Sequence, residues 1–131
     1  MKSWAVPAAE ILTVGLPFCA FKLLTGVIAG VPGYALLAWG AIDAVLNLIN
    51  LAALITVHRR VAPVCLLAIP FKGDIGLAID VFVSFGFVAI VVGASLLGRL
   101  PAWTLPIWNI AVVLNVLGAG VGRLLGAVRR V

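Results

Sequence analysis

The sequence predicts an all-α integral membrane protein of four transmembrane helices, arranged as two antiparallel hairpins with both termini cytoplasmic. Three observations predict it. Apolar residues make up 65% of the 131 residues, and mean hydropathy is +1.31. The apolar runs are long and do not alternate, which fits helices and not barrel strands. Lys and Arg gather on one side of the path that such helices would trace.

A span needs about 20 mostly apolar residues to cross roughly 30 Å of hydrocarbon, so this chain holds about four and leaves no room for a soluble domain. The expected spans are about 8–31, 34–57, 75–99 and 104–127, within one domain covering 1–131 and with a cytoplasmic loop at about 58–74. In the first span, Glu10 interrupts the apolar run that follows Met1-Lys2, so the run reads as a mature helix and not a signal peptide. Leu16-Pro17-Phe18-Cys19 lacks the small residue that a lipoprotein signal places before its cysteine. Gly30-Val31-Pro32-Gly33 then marks a tight turn.

The second span carries Trp39, Asp43, Asn47, Asn50 and His58 along one helical face, the most polar stripe in the chain. Such a stripe serves either as interhelical hydrogen bonding or as the lining of a polar path. The stretch Val61 to Phe71 is apolar but too short to span, and it contains Pro63 and Pro70. It is expected to lie in the interface or under a neighbouring subunit.

The third span offers Gly76, Asp80, Ser84 and Ser95 on a polar face, with Phe82, Phe85 and Phe87 around the helix. Gly98-Arg99-Leu100-Pro101 marks the second turn. In the fourth span Gly118, Gly122 and Gly126 recur at every fourth residue beside Asn115, a face that lets another helix approach closely. The two halves share a pattern, with Trp39 before Val45-Leu46-Asn47 and Trp108 before Val113-Leu114-Asn115, which hints at a duplicated hairpin.

Orientation follows from Lys2, Arg59, Arg60, Lys72, Arg129 and Arg130 on one side against Arg99 on the other. Tyr34, Trp39, Trp103 and Trp108 cluster near the predicted outer turns, and Trp4 marks the inner surface. The net charge of +5 arises from this bias and points to lipid head groups or acidic protein surfaces, not to nucleic acid.

Charges inside a membrane are costly and imply partners. Counting from each turn, Lys22 and Asp43 fall at equal depth near the bilayer middle, and Asp80 and Arg123 fall at equal depth near the inner end. Read as structure, these ion pairs are staples that fix helix register. Read as function, Asp43 belongs to a proton or ion path. Cys19 and Cys65 read as apolar filler with no disulfide or metal site. His58 is the weak candidate for a pigment or haem ligand shared with another chain; otherwise no cofactor and no metal are expected.

The chain lacks a glycine-rich phosphate loop, paired carboxylates and a nucleophile beside a base, so an enzyme is not expected. Ala8-Ala9-Glu10 faintly resembles the acidic first helix of small multidrug transporters, over that one helix and without the rest of their pattern. Small fluoride channels share the size and not the motifs. The expected role is a non-catalytic accessory subunit of a larger complex, energy-converting or photosynthetic, in a bacterial inner membrane. Its partners would then be other membrane subunits and lipid. The alternative is a small homo-oligomeric ion or solute transporter with a polar path along the second helix.

Overall fold

The computed structural model describes residues 3–72 and 74–129, with side chains for 3–72 and 75–120. It is 83% helical, and the described residues contain no strand. Four helices are long and apolar enough to cross a membrane. We label them α1 (Ala5–Ala29), α2 (Tyr34–Thr56), α3 (Asp74–Gly93) and α4 (Leu105–Arg129).

Helix α1 is the hub of the bundle, packing against each of the other three. It runs antiparallel to α2, which it meets most extensively. The turn joining them packs tightly on α1, where a Cβ on Gly33 would lie 2.0 Å from the Gly26 carbonyl oxygen. Gly30 closes α1 with φ of 67°, a conformation that side chains resist. The side of the bundle holding residues 30–33 and 94–104 is the hairpin side. The opposite side, holding residues 57–72 and both ends of the described chain, is the terminal side.

Among the described residues the second hairpin is looser than the sequence suggests, because α3 and α4 hardly touch and each packs on α1 instead. Residues 94–104 are not a tight turn but two short 3-10 segments, Leu96–Arg99 and Ala102–Thr104. Leu100 is buried in one cluster with Val91 of α3, Trp108 and Ala111 of α4, and Phe18, Phe21 and Leu24 of α1. Trp108 is only 2% exposed and meets Phe21 edge-on at 4.9 Å, so it is a core residue and not the interfacial anchor expected of it. Depth alone cannot tell those apart. Trp103 at 74% and Tyr34 at 65% do stay exposed.

Helix α1 contains one π turn, Ile11–Gly15. Pro17 has no N–H to give the Thr13 carbonyl four residues earlier, which interrupts the regular ladder there. Asn115 of α4 reaches the freed Thr13 oxygen at 3.5 Å. Gly118 brings α4 close enough for this, since a Cβ there would sit 2.5 Å from Thr13 Cβ. Gly118→Leu is therefore expected to destabilise the bundle by about 1–3 kcal/mol through overpacking. On the same helix nothing lies within 4 Å of a Cβ on Gly120, so Gly120→Ala is expected to be neutral. Thermal unfolding of both variants in detergent checks the contrast. The packing at Gly122 and Gly126 lies outside what is described.

Candidate functional site

Lys22 is 0% exposed, and its ammonium bridges two carboxylates. Nζ lies 2.5 Å from Asp43 Oδ2 and bonds Asp80 Oδ1 as well. The same Nζ stands 4.6 Å from the centre of the Trp39 ring, a cation-π contact. Three helices thus meet at one buried charge: α1 through Lys22, α2 through Asp43 and α3 through Asp80.

The sequence expectation paired Asp80 with Arg123, whose side chain lies outside the described residues. A depth counted from a turn at residue 102 takes the whole stretch from Asp80 as helix. Helix α3 ends at Gly93, thirteen residues beyond Asp80, so the carboxylate lies about 20 Å from that helix end and not some 33 Å from the turn. The third helix thereby brings its acid level with the long, flexible Lys22 side chain.

Asp43 has a second anchor, because its Oδ1 accepts the Leu66 backbone N–H at 2.7 Å. The stretch after α2 therefore folds back into the bundle on the terminal side. Asn50 clamps it: Oδ1 accepts from the N–H groups of Val61 and Ala62, and Nδ2 donates to the carbonyls of Ala62 and Pro63. Cys65 is 3% exposed, and a short 3-10 turn, Leu66–Ala68, rests on α3 at Gly76. A Cβ on Gly76 would lie 2.4 Å from the Leu67 carbonyl oxygen. The apolar Val61–Phe71 stretch is thus covered in part by its own bundle. Irregular backbone at membrane depth is tolerated where protein groups satisfy it, and Asn50 and Asp43 do so here.

Asn47 completes the α2 stripe. It donates to the Asp43 carbonyl at 2.8 Å, lies 3.6 Å from Cys19 Sγ, and packs where Gly15 has no side chain. His58 stands apart from this group. It follows α2 by two residues in a left-handed conformation, φ 60°, with Nδ1 held 3.2 Å from the Leu54 carbonyl and its ring stacked on Trp4. Among the described residues no group of three His, Cys, Asp or Glu is placed to hold a metal.

A cavity of about 360 Å³ joins these features. Its lining includes Glu10 and Arg60, which form an exposed ion pair at 3.3 Å, and it ends on Lys22, Asp43 and Asp80. Between them lie the π turn through Ile11, Val14 and Gly15, then Phe18 and Val81, with Cys65 and Val64 of the folded-back segment on another wall. The site therefore comprises a surface ion pair, an apolar vestibule and a buried carboxylate–ammonium–carboxylate cluster. Sequence reasoning missed the vestibule and Asp80's place in it. The signals available were Pro17 inside a span and a Pro-bracketed apolar stretch too short to cross. No protein-family model, curated protein or solved structure matches the chain.

Proposed function

We propose that this chain is a small multi-pass membrane transport protein that takes a proton from the terminal side, through the cavity, to the Asp43–Lys22–Asp80 cluster. The cavity carries this reading, because it links an exposed ion pair to buried ionisable groups on three helices. Intramembrane charges that face a cavity are the usual mark of an ion or proton route.

The charge count supports a proton as the ion. Among the described side chains, two carboxylates and one ammonium sum to minus one, and a net charge in hydrocarbon is costly. One bound proton makes the cluster neutral. Asp80 is the carboxylate suited to carry it. Asp43 is held by Lys22 and by the Leu66 N–H, whereas Lys22 is the one hydrogen-bond donor to Asp80 among the described residues. In this reading the chain performs no covalent chemistry, and the terminal side is the cytoplasmic side, as the Lys and Arg distribution favours.

The test is reconstitution into vesicles that contain a pH-sensitive dye. An imposed potential is expected to drive proton entry well above that of protein-free vesicles, and Asp80→Asn to abolish it. Asp80→Asn leaves Lys22 and Asp43 as a neutral pair, so the variant is expected to fold and unfold at about the wild-type temperature. Wild-type vesicles no leakier than empty ones would overturn the reading.

A second reading has its own observation. Among the described residues α3 and α4 hardly touch, which leaves exposed apolar side chains, including Phe82 at 79% and Val116 at 66%, available to another membrane chain. An accessory subunit of a larger membrane complex would use that gap. Gentle extraction and affinity purification would then recover other subunits in fixed ratio.

A further inference from the structure

Three polar side-chain atoms are buried without a hydrogen-bond partner among the described residues: Thr25 Oγ1, Trp39 Nε1 and Ser84 Oγ. Their positions are not scattered. Thr25 lies three residues after Lys22, Ser84 four after Asp80, and Trp39 four before Asp43. Helix α1 runs towards the hairpin side and α2 away from it. Helix α3 also runs towards it, from Gly76 beside Leu67 to Val91 in the cluster with Leu100. All three displacements therefore point the same way, about 4.5–6 Å towards the hairpin side at 1.5 Å per residue. The cavity reaches the charged cluster from the terminal side, so the three groups stand on the cluster's far side.

The offsets of three and four residues also keep each group on the face of its helix that carries the charge. Ser84 is 0% exposed, and Trp39 is fixed by the Lys22 ammonium over its ring. Elsewhere in the bundle hydroxyls turn back on their own helix. Thr13 bonds the Ala9 carbonyl at 2.7 Å and Thr56 the Ala52 carbonyl at 2.8 Å. Thr25 and Ser84 do not. A buried hydroxyl or indole N–H left unpaired is costly, so such a group ordinarily has a protein or water partner.

We infer that Thr25, Trp39 and Ser84 form a water-binding layer on the hairpin side of the charged cluster, the continuation of the proton route beyond Asp80. The inference rests on the transport reading for its purpose and on the three unpaired groups for its existence. Each member has a defined part. The indole N–H donates only, so Trp39 fixes a water and cannot pass a proton. The hydroxyls of Thr25 and Ser84 both donate and accept, so they can relay. The step moves one proton from the Asp80 carboxyl to a bound water, leaving a carboxylate beside the Lys22 ammonium. The resulting hydronium passes its proton to the next oxygen along. Lys22 stays protonated throughout.

Radiolytic hydroxyl-radical labelling in lipid nanodiscs, read tryptophan by tryptophan by mass spectrometry, tests the layer in the intact chain without flux. Trp103 is the wet reference and Trp108, in the apolar core, the dry one. Trp39 is expected to be oxidised several-fold faster than Trp108, and Ser84→Ala with Thr25→Val to bring it down towards Trp108. A wild-type Trp39 as inert as Trp108 would overturn the inference. Oxidation of Trp39 in a protein that conducts no protons would establish the water site and remove the transport reading. Conduction with a dry Trp39 would keep transport and remove the site.

Discussion

Lys22→Met is expected to be the most destabilising single change in this chain, at about 3–5 kcal/mol, because it leaves two carboxylates buried without their cation. Thermal or denaturant unfolding in detergent reads it. The three members of the cluster are not equivalent. Removing the charge of Asp80 leaves a neutral Lys22–Asp43 pair, so Asp80→Asn is expected to cost little. Asp43→Asn also leaves one carboxylate per ammonium, but it weakens the hold on the Leu66 N–H and is expected to cost more than Asp80→Asn. The order of damage is therefore Lys22, then Asp43, then Asp80.

Rescue of the charge imbalance needs all three positions. A double change, Lys22→Met with Asp43→Leu, strands Asp80 without its partner, whereas Lys22→Met, Asp43→Leu and Asp80→Leu together remove the three charges and restore stability apart from the lost Leu66 N–H bond. Replacing a complete buried ion cluster by apolar residues is often neutral or stabilising. A triple variant that is stable and still passes protons would sink the transport reading, because the route would then not use the cluster. A triple variant that is stable and silent is the expected result. The comparison separates a staple from a site by asking whether function and stability return together.

The sequence makes the four spans and the Lys22–Asp43 contact legible for the same reason. Span length follows from hydropathy, and the short breaker-rich turn at 30–33 fixes the register of α1 against α2. Where the connection is long and irregular, counting from the turn loses register, and the contact of Asp80 with Lys22 is not legible. The docked segment was illegible in a different way. Its hydrogen bonds run from backbone groups of 61–66 to Asn50 and Asp43, and backbone groups leave no mark on residue identity. The trace that did exist was the mismatch between an apolar stretch and its length. A segment too short to span, beside a helix rich in buried amides, has a place to fold back into. The π turn left a similar trace in Pro17, with Asn115 and Gly118 on the partner helix as its complement.

The second large effect is expected at Asn50. Its amide makes four hydrogen bonds to backbone groups of the segment, worth about 0.5–1.5 kcal/mol each, and Leu has nearly the same shape without any of them. Asn50→Leu should undock residues 61–68 while leaving the four helices assembled, since the α1–α2 contacts lie elsewhere. Cys65 reports the event directly. It is 3% exposed in the native protein, so a thiol reagent must wait for the segment to open. Alkylation of Cys65, followed by mass spectrometry, is expected to speed up by roughly 30–300-fold in the variant, the equivalent of about 2–3.4 kcal/mol of lost docking energy. The same change should widen the cavity, because Val64 and Cys65 form one of its walls. Proton entry faster than wild type would make the docked segment a restriction on the route, and entry at the wild-type rate would make it a scaffold. An unchanged Cys65 rate would show that the Leu67–Gly76 packing, and not Asn50, holds the segment in place.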